Sequence, residues 1–417
     1  MAITALYIHV PFCAQKCRYC DFDSRAFSPS LRDEAMDGYF ELLEARFREF
    51  ECAGALAEIE TVYIGGGTPS LAGERLVRFC RSVSLVASPK EFSCEANPES
   101  MTPALAAELK EAGVTRISLG VQTLDDDELA SIGRIHTADR ALGALRACKD
   151  AGLDVSCDLM CGLPGQTARS WRASLEGIIA AAPDHVSVYP LTVEEGTPLW
   201  YAAQKDPSLE PDEDFQADCM DTARTALERA GYRPYEVASY ARPAHACRHN
   251  IAYWTGRGYL GIGRSAAMML DRGDFDRLDS LFPGVKPPAG CARIRLVQTD
   301  DAGRHFDIEG LSLREAAAED LMLACRMTDG IPAELLRKAA MAIPADELMM
   351  ACDRAVELGL AHWTVDGIEP PFISAVGAIS DSRNPALAPT HLGWLDGNVL
   401  FELFWGLHEG SGRIASS

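Results

Sequence analysis

The sequence predicts an α/β protein whose first half is an open, partial (β/α)6 barrel. Six short apolar segments at 4–10, 61–65, 91–95, 116–121, 155–160 and 185–190 alternate with helical patterns. Such alternation builds a parallel sheet with right-handed crossovers. Six units are too few to close an eight-stranded barrel, so the sheet is expected to stay open and curved. The chemically distinctive residues fall just after these strands, where parallel sheets carry their ligand sites.

The helices follow from their spacing. The longest pattern, 31–52, repeats apolar residues at Met36, Tyr39, Phe40, Leu42, Leu43 and Phe47, one face of a 3.6-residue period. Shorter ones lie at 73–84, 102–112, 137–151 and 168–181. The rhythm changes past Pro190. A helix at 213–230 leads into a polar stretch with aromatics at 235–259, and a Pro/Gly-rich loop occupies 282–290. Helices are again expected at 313–328 and 346–358. The expected division is a barrel at 1–200, an α+β extension at 201–300, and a small winged-helix-like C-terminal unit at 301–417, its helices and short hairpin within 306–406.

The chain has 417 residues, 47% of them hydrophobic, enough for a full core. Its net charge of −22 and pI near 4.8 argue against nucleic acid or an anionic membrane surface as a partner. Fourteen cysteines are scattered along the chain, no basic leader opens it, and no 18-residue apolar run is present. A reducing cytoplasm is the expected compartment, with no transmembrane segment.

Cys13, Cys17 and Cys20 read Cys-x-x-x-Cys-x-x-Cys. Iron–sulfur clusters are ordinarily held by four cysteines; three leave one iron of a four-iron cluster open to an exchangeable ligand. A zinc knuckle would need a second ligand pair, and none with that spacing follows. Gly65-Gly66-Gly67-Thr68-Pro69 follows the second strand, where glycines let a ligand approach the backbone and leave N–H groups free to bind it. Glu95, Gln122, Arg134 and Asp158 recur at or near strand ends. A carboxylate at Glu95 can accept from ribose hydroxyls; the alternative is an ordinary Asn-Pro turn. A second constellation runs from His245 through Cys247, His249, Asn250 and Tyr253 to Trp254. Imidazole is a good iron ligand and aromatics pack on flat macrocycles, but the same residues also read as a loop with a capping histidine and core aromatics.

Together these stretches resemble the coproporphyrinogen dehydrogenase-like radical SAM family, and within it the heme chaperone branch, HemW. The resemblance rests on 7–13 with Cys20-Asp21-Phe22, on 65–70, 95–98, 120–122, 133–137 and 158–167, and on 249–254. It implies a radical SAM barrel with Cys13, Cys17 and Cys20 on a [4Fe-4S] cluster. It implies that Tyr7, Gly66, Gly67, Thr68, Glu95, Gln122, Arg134 and Asp158 line an S-adenosylmethionine site. His249, Asn250, Tyr253 and Trp254 match a His-Asn-x-x-Tyr-Trp motif associated with heme. The implied partners are heme, a heme-acceptor protein, and an electron donor such as a flavodoxin or ferredoxin. The other reading the resemblance allows is an oxygen-independent coproporphyrinogen III dehydrogenase, but those enzymes follow the third cysteine with Gly-Cys, where this chain has Asp21-Phe22. The chain departs from the family pattern at Arg264-Ser265-Ala266-Ala267-Met268, with Ala267 in place of a histidine.

Overall fold

The computed structural model describes residues 2–365 and 385–409; the parts of the expected C-terminal unit at 366–384 and 410–417 lie outside the described residues. All six expected strands form: β1 (Ile3–Val10), β2 (Thr61–Gly66), β3 (Glu91–Ala96), β4 (Arg116–Gln122), β5 (Asp154–Cys161) and β6 (His185–Pro190). They pair in that order and are all parallel. Between them run α1 (Pro29–Cys52), α2 (Glu74–Ala87), α3 (Pro103–Glu111), α4 (Asp126–Ser131), α5 (Ala138–Asp150) and α6 (Ala168–Ala181). Thr102, Thr137 and Thr167 start α3, α5 and α6, each hydroxyl accepting from a first-turn N–H. Such caps contribute about 1 kcal/mol each and fix where each loop turns into its helix.

The two faces of the sheet differ. Along β4, Ile117, Leu119 and Val121 are 0% exposed and share one apolar core with Leu105, Leu109 and Leu145 of the crossover helices. Their neighbours Arg116, Ser118, Gly120 and Gln122 alternate onto the opposite face and line a cavity, as the two-residue period of a strand requires. Ser156, Asp158 and Met160 do the same on β5.

The sheet does not stop at six strands; it has twelve. Beyond β6 come two antiparallel strands, β7 (Arg233–Glu236) at the edge and β8 (Ser239–Ala241) between it and β6. On the other side β9 (Gly258–Ile262) pairs parallel with β1, and β10 (Ala267–Asp271), β11 (Arg293–Gln298) and β12 (Phe306–Leu311) follow antiparallel. Segment 201–300 thus adds strands to both edges of the barrel sheet. β12, inside the stretch expected for the small C-terminal unit, also belongs to the large sheet. These strands escape periodicity because they are short or carry mixed sequence, such as Phe-Asp-Ile-Glu-Gly-Leu in β12.

Past the barrel run α7 (Glu213–Arg229) and α8 (Arg248–Trp254), with short helical turns at Pro198–Ala203 and Arg272–Arg277. Further along, α9 (Leu313–Ala324) ends short of the expected Thr328. The residues after it pair with the sheet edge instead: Val237 N–H donates to Arg326 O at 2.9 Å and Thr328 N–H to Tyr235 O at 3.0 Å. A second apolar core runs from Ala318 to Leu407. It holds helices Ala333–Ala339, Ala345–Glu357 and Gly397–Trp405 and an antiparallel sheet of β13 (Ile331–Pro332), β14 (Ala361–Thr364) and β15 (Ala386–Pro389), with β15 central. Arg293 of β11 binds Asp320 of α9 through both guanidinium nitrogens, at 2.7 and 2.6 Å, a bidentate buried pair across the junction.

Candidate functional site

A cavity of about 420 Å³ opens at the carboxyl ends of the strands, a volume suited to a small ligand. Cys13, Cys17 and Cys20 all line it, with free thiols. Their loop is tied down by backbone bonds at Arg18, whose N–H donates to Ile132 O at 3.0 Å and whose carbonyl accepts from Leu199 N–H at 2.8 Å. Arg264 donates to the Asp23 carboxylate at 2.9 Å, and Ser265 bonds the same group. The segment that departs from the family pattern therefore clamps the far end of the cysteine loop. Three soft sulfur donors on one constrained loop facing a cavity fit a site-differentiated iron–sulfur cluster.

The glycine turn works differently from the sequence expectation. Its N–H groups are not free. Gly66 donates to Glu95 Oε2 at 2.9 Å, Gly67 to Val10 O at 2.9 Å and Thr68 to Phe12 O at 2.6 Å. The glycines serve close packing against the chain that enters the cysteine loop. A Cβ on Gly66, at φ +115°, would lie 2.6 Å from the His9 ring, and one on Gly67 would lie 2.6 Å from Phe12 O.

A polar chain joins the cysteines to the strand ends. Thr68 Oγ1 donates toward Cys13 Sγ at 3.7 Å and accepts from Asn97 Nδ2 at 2.9 Å. Asn97 Oδ1 accepts from Arg134 at 2.7 Å, and Arg134 donates to the Tyr19 hydroxyl, next to Cys20, at 2.9 Å. Arg134 Nε is buried without a partner. Gln122 lines the same cavity at a strand irregularity, with φ +69°; a non-glycine residue held there stores strain of order 1–3 kcal/mol, a common mark of a ligand site. Burial pushes the Glu95 carboxyl up to about 7, with the Asp158 charge adding to it. Burial also raises Asp158, which accepts from Ser118 at 3.0 Å.

Gly66, Gly67, Thr68, Glu95, Gln122, Arg134 and Asp158 are thus brought together with the cysteines. Tyr7 stands one layer back, its hydroxyl bonded to His9 Nδ1 at 3.0 Å. The cavity floor also holds polar residues that the motifs did not single out. Arg116, 3% exposed, donates to His245 O at 2.8 Å and keeps Nη2 unpaired. His185 bridges Ser156 at 2.8 Å and Tyr235 at 2.9 Å. The signal for them was the alternation Arg-Ile-Ser-Leu-Gly-Val-Gln in β4, unusual for a parallel strand buried on both faces.

The second constellation forms α8 and splits between environments. Glu91 caps the helix, accepting from the N–H groups of Arg248 and His249, both at 3.0 Å. Asn250 and Cys247 reach the cavity. His249 does not: it is 1% exposed and stacks on Tyr63 at 5.2 Å. Its Nδ1 meets Thr61 Oγ1 and its Nε2 the Tyr253 hydroxyl, both at 3.0 Å. Burial pushes its pKa down to about 3. Both ring nitrogens are engaged, and His249 is held as part of the core with Tyr253 as its partner. Trp254 sits at the far end of α8, away from the cysteines. His249→Ala is expected to lower stability by about 2–4 kcal/mol, through a new cavity and two orphaned hydroxyls, read as a lower thermal midpoint; an unshifted midpoint would contradict this role.

Comparison with known proteins gives the family and the fold. The Radical SAM superfamily pattern matches residues 7–177. The heme chaperone HemW of Mycobacterium tuberculosis (strain ATCC 25618 / H37Rv) is 34% identical over 380 residues, covering 87% of this chain and 93% of that protein. The mitochondrial radical S-adenosyl methionine domain-containing protein 1 of Bos taurus is 38% identical over 267 residues, covering 63% of this chain and 60% of that one. The structure of coproporphyrinogen III oxidase (HemN) from Escherichia coli, a radical SAM enzyme, superposes with a TM-score of 0.71 at 18% identity, over 98% of this chain and 90% of that one. At that identity the likeness speaks to the fold.

Proposed function

The chain belongs to the radical SAM superfamily and, within it, to the HemW heme chaperone family, and from this premise we propose that it is a heme chaperone carrying a [4Fe-4S] cluster with exchangeable S-adenosylmethionine. It would bind heme and pass it to an acceptor protein, with electrons from a flavodoxin- or ferredoxin-type donor, in the cytoplasm. Among the described residues no helix is long and apolar enough to cross a membrane. The observation that carries the reading is one cavity lined by the three cysteines and by the strand-end polar residues of β2 to β5. When bound, the cluster supplies an electron and an open iron site.

The chain's own residues do the positioning. Cys13, Cys17 and Cys20 would hold the cluster. The glycine turn sets Glu95 through the Gly66 N–H, and Tyr63 donates to the other carboxylate oxygen at 3.0 Å. Glu95 would then be placed to accept from ribose hydroxyls, while Gln122, Arg134 and Asp158 line the same pocket.

This predicts a pH dependence. The carboxyl ionises near 7 in the folded protein and near 4.5 in the unfolded chain. Its contribution to folding stability is therefore present below pH 4.5 and is lost as pH rises through about 7. Ligand binding runs the other way, because only the ionised form accepts two hydroxyl donors. S-adenosylmethionine affinity should rise up to about tenfold per pH unit below 7 and level off above it. Glu95→Gln should weaken binding and flatten the profile; calorimetric titration at several pH values checks this. A profile that Glu95→Gln leaves sloped would place the ionising group elsewhere.

The chaperone and enzyme readings separate in one assay. Cluster-loaded protein is given S-adenosylmethionine, a reductant and coproporphyrinogen III, and in parallel hemin alone. Saturable hemin binding with no decarboxylated product is expected. Substrate-dependent decarboxylation would instead make the chain a coproporphyrinogen dehydrogenase.

A further inference from the structure

The polar chain beside the cysteines has a direction. A guanidinium offers hydrogens and accepts none, so the Asn97 atom that meets Arg134 at 2.7 Å must be the amide oxygen. The amide nitrogen is thereby turned toward Thr68 and donates to its hydroxyl at 2.9 Å. A hydroxyl has one hydrogen. The Thr68 oxygen already receives from Asn97, so its own hydrogen must point away from Asn97. Cys13 Sγ lies on that side, at 3.7 Å, within reach of a bond to sulfur.

Every donor in the chain therefore faces the sulfur, and Arg134 places a fixed positive charge at the far end. Bonds aligned head to tail polarise one another and strengthen the last one. The chain is also held in place. Thr68 is 2% exposed, and its N–H is fixed on Phe12 O, next to Cys13. The Asn97 carbonyl takes the N–H groups of Ser100 and Met101, at 3.1 and 3.2 Å. The other guanidinium nitrogen of Arg134 donates to the Tyr19 hydroxyl.

Hydrogen bonds to its sulfurs are among the features that set the potential of an iron–sulfur cluster. Reduction adds negative charge, so a donor to sulfur stabilises the reduced state more than the oxidised one. We propose that Asn97 is a positioning residue that holds the Thr68 hydroxyl as a donor to the Cys13 sulfur and so raises the reduction potential of the cluster. The proposal rests on the cluster assignment in the reading above. It adds to that assignment a residue that acts on the cluster through another side chain.

The test is a redox titration of the full-length, anaerobically reconstituted protein without S-adenosylmethionine, followed by electron paramagnetic resonance of the reduced cluster. Iron content and circular dichroism show that each sample is loaded and folded. Thr68→Val keeps the side-chain shape and removes the hydroxyl. It should make reduction about tenfold less favourable, a midpoint about 59 mV lower for one electron. Thr68→Ser keeps the hydroxyl and should stay near wild type. Asn97→Leu should also lower the midpoint, and either single variant is decisive if the other does not load. Asn97→Leu combined with Thr68→Val should lie no lower than Thr68→Val alone, because contributions along one chain do not add. A wild-type midpoint in either single variant, a Thr68→Ser midpoint as low as that of Thr68→Val, or an additive double variant would overturn the proposal and leave the cluster assignment standing. A wild-type protein that takes up no cluster would overturn both.

Discussion

Cys17→Ala protein is expected to lose its iron–sulfur absorbance almost entirely while keeping its helical circular dichroism. Two sulfurs cannot hold a four-iron cluster that already lacks a fourth cysteine. The loop itself should survive, because it is fastened by Arg18 to Ile132 and Leu199 through backbone bonds that need no metal. At the other end Arg264 and Ser265 hold Asp23. The first apolar core, running from Ile3 to Leu296, contains none of the three cysteines. Iron and sulfide content after anaerobic reconstitution is the measurement. Near-wild-type loading of Cys17→Ala would remove that residue from the ligand set.

Gly66→Ala is expected to have the next largest effect. At φ +115° an alanine is strained by about 1–3 kcal/mol before any contact is counted. Its methyl group would also meet the His9 ring at 2.6 Å. That ring cannot swing aside, because Tyr7 holds Nδ1 and the Asp23 carbonyl holds Nε2, at 3.0 and 2.9 Å. The backbone must move instead, and it carries the N–H that positions Glu95. A loss of stability on the order of 3 kcal/mol and a fall of tenfold or more in S-adenosylmethionine affinity are expected, since tenfold is only about 1.4 kcal/mol. Gly38→Ala is the control. That glycine lies inside α1 with nothing within 4 Å of its would-be methyl, so alanine there should be neutral or stabilising by up to about 1 kcal/mol. Equal behaviour of the two variants would contradict the packing role given to Gly66.

The six barrel strands were legible because each is a compact apolar run, as in Phe92 and Cys94 of β3, both fully buried. The cysteine triplet and the strand-end residues from Glu95 to Asp158 were legible because spacing and strand position are linear properties of the chain. The flanking strands were not, since β8 has three residues and half of β12 is exposed; pairing with an existing edge, and not local pattern, makes them strands. The floor of the cavity was missed for a different reason. Arg116, Ser156 and His185 look like interruptions in apolar strands until the sheet curves and gives them a shared interior. His249 shows the opposite case: its residue type invites a metal, and the hydrogen bonds and ring contact that Thr61, Tyr63 and Tyr253 make with it, remote or ordinary in sequence, could not be read from the motif.

On the proposed function, one cavity would hold a three-cysteine cluster with an iron open to S-adenosylmethionine. Electron paramagnetic resonance of the anaerobically reduced protein, recorded with and without S-adenosylmethionine, tests it most directly. A change in the cluster signal on adding the ligand, diminished in Glu95→Gln, is the predicted result. A cluster signal that S-adenosylmethionine leaves unaltered would mean a closed, structural cluster with no iron open to the ligand.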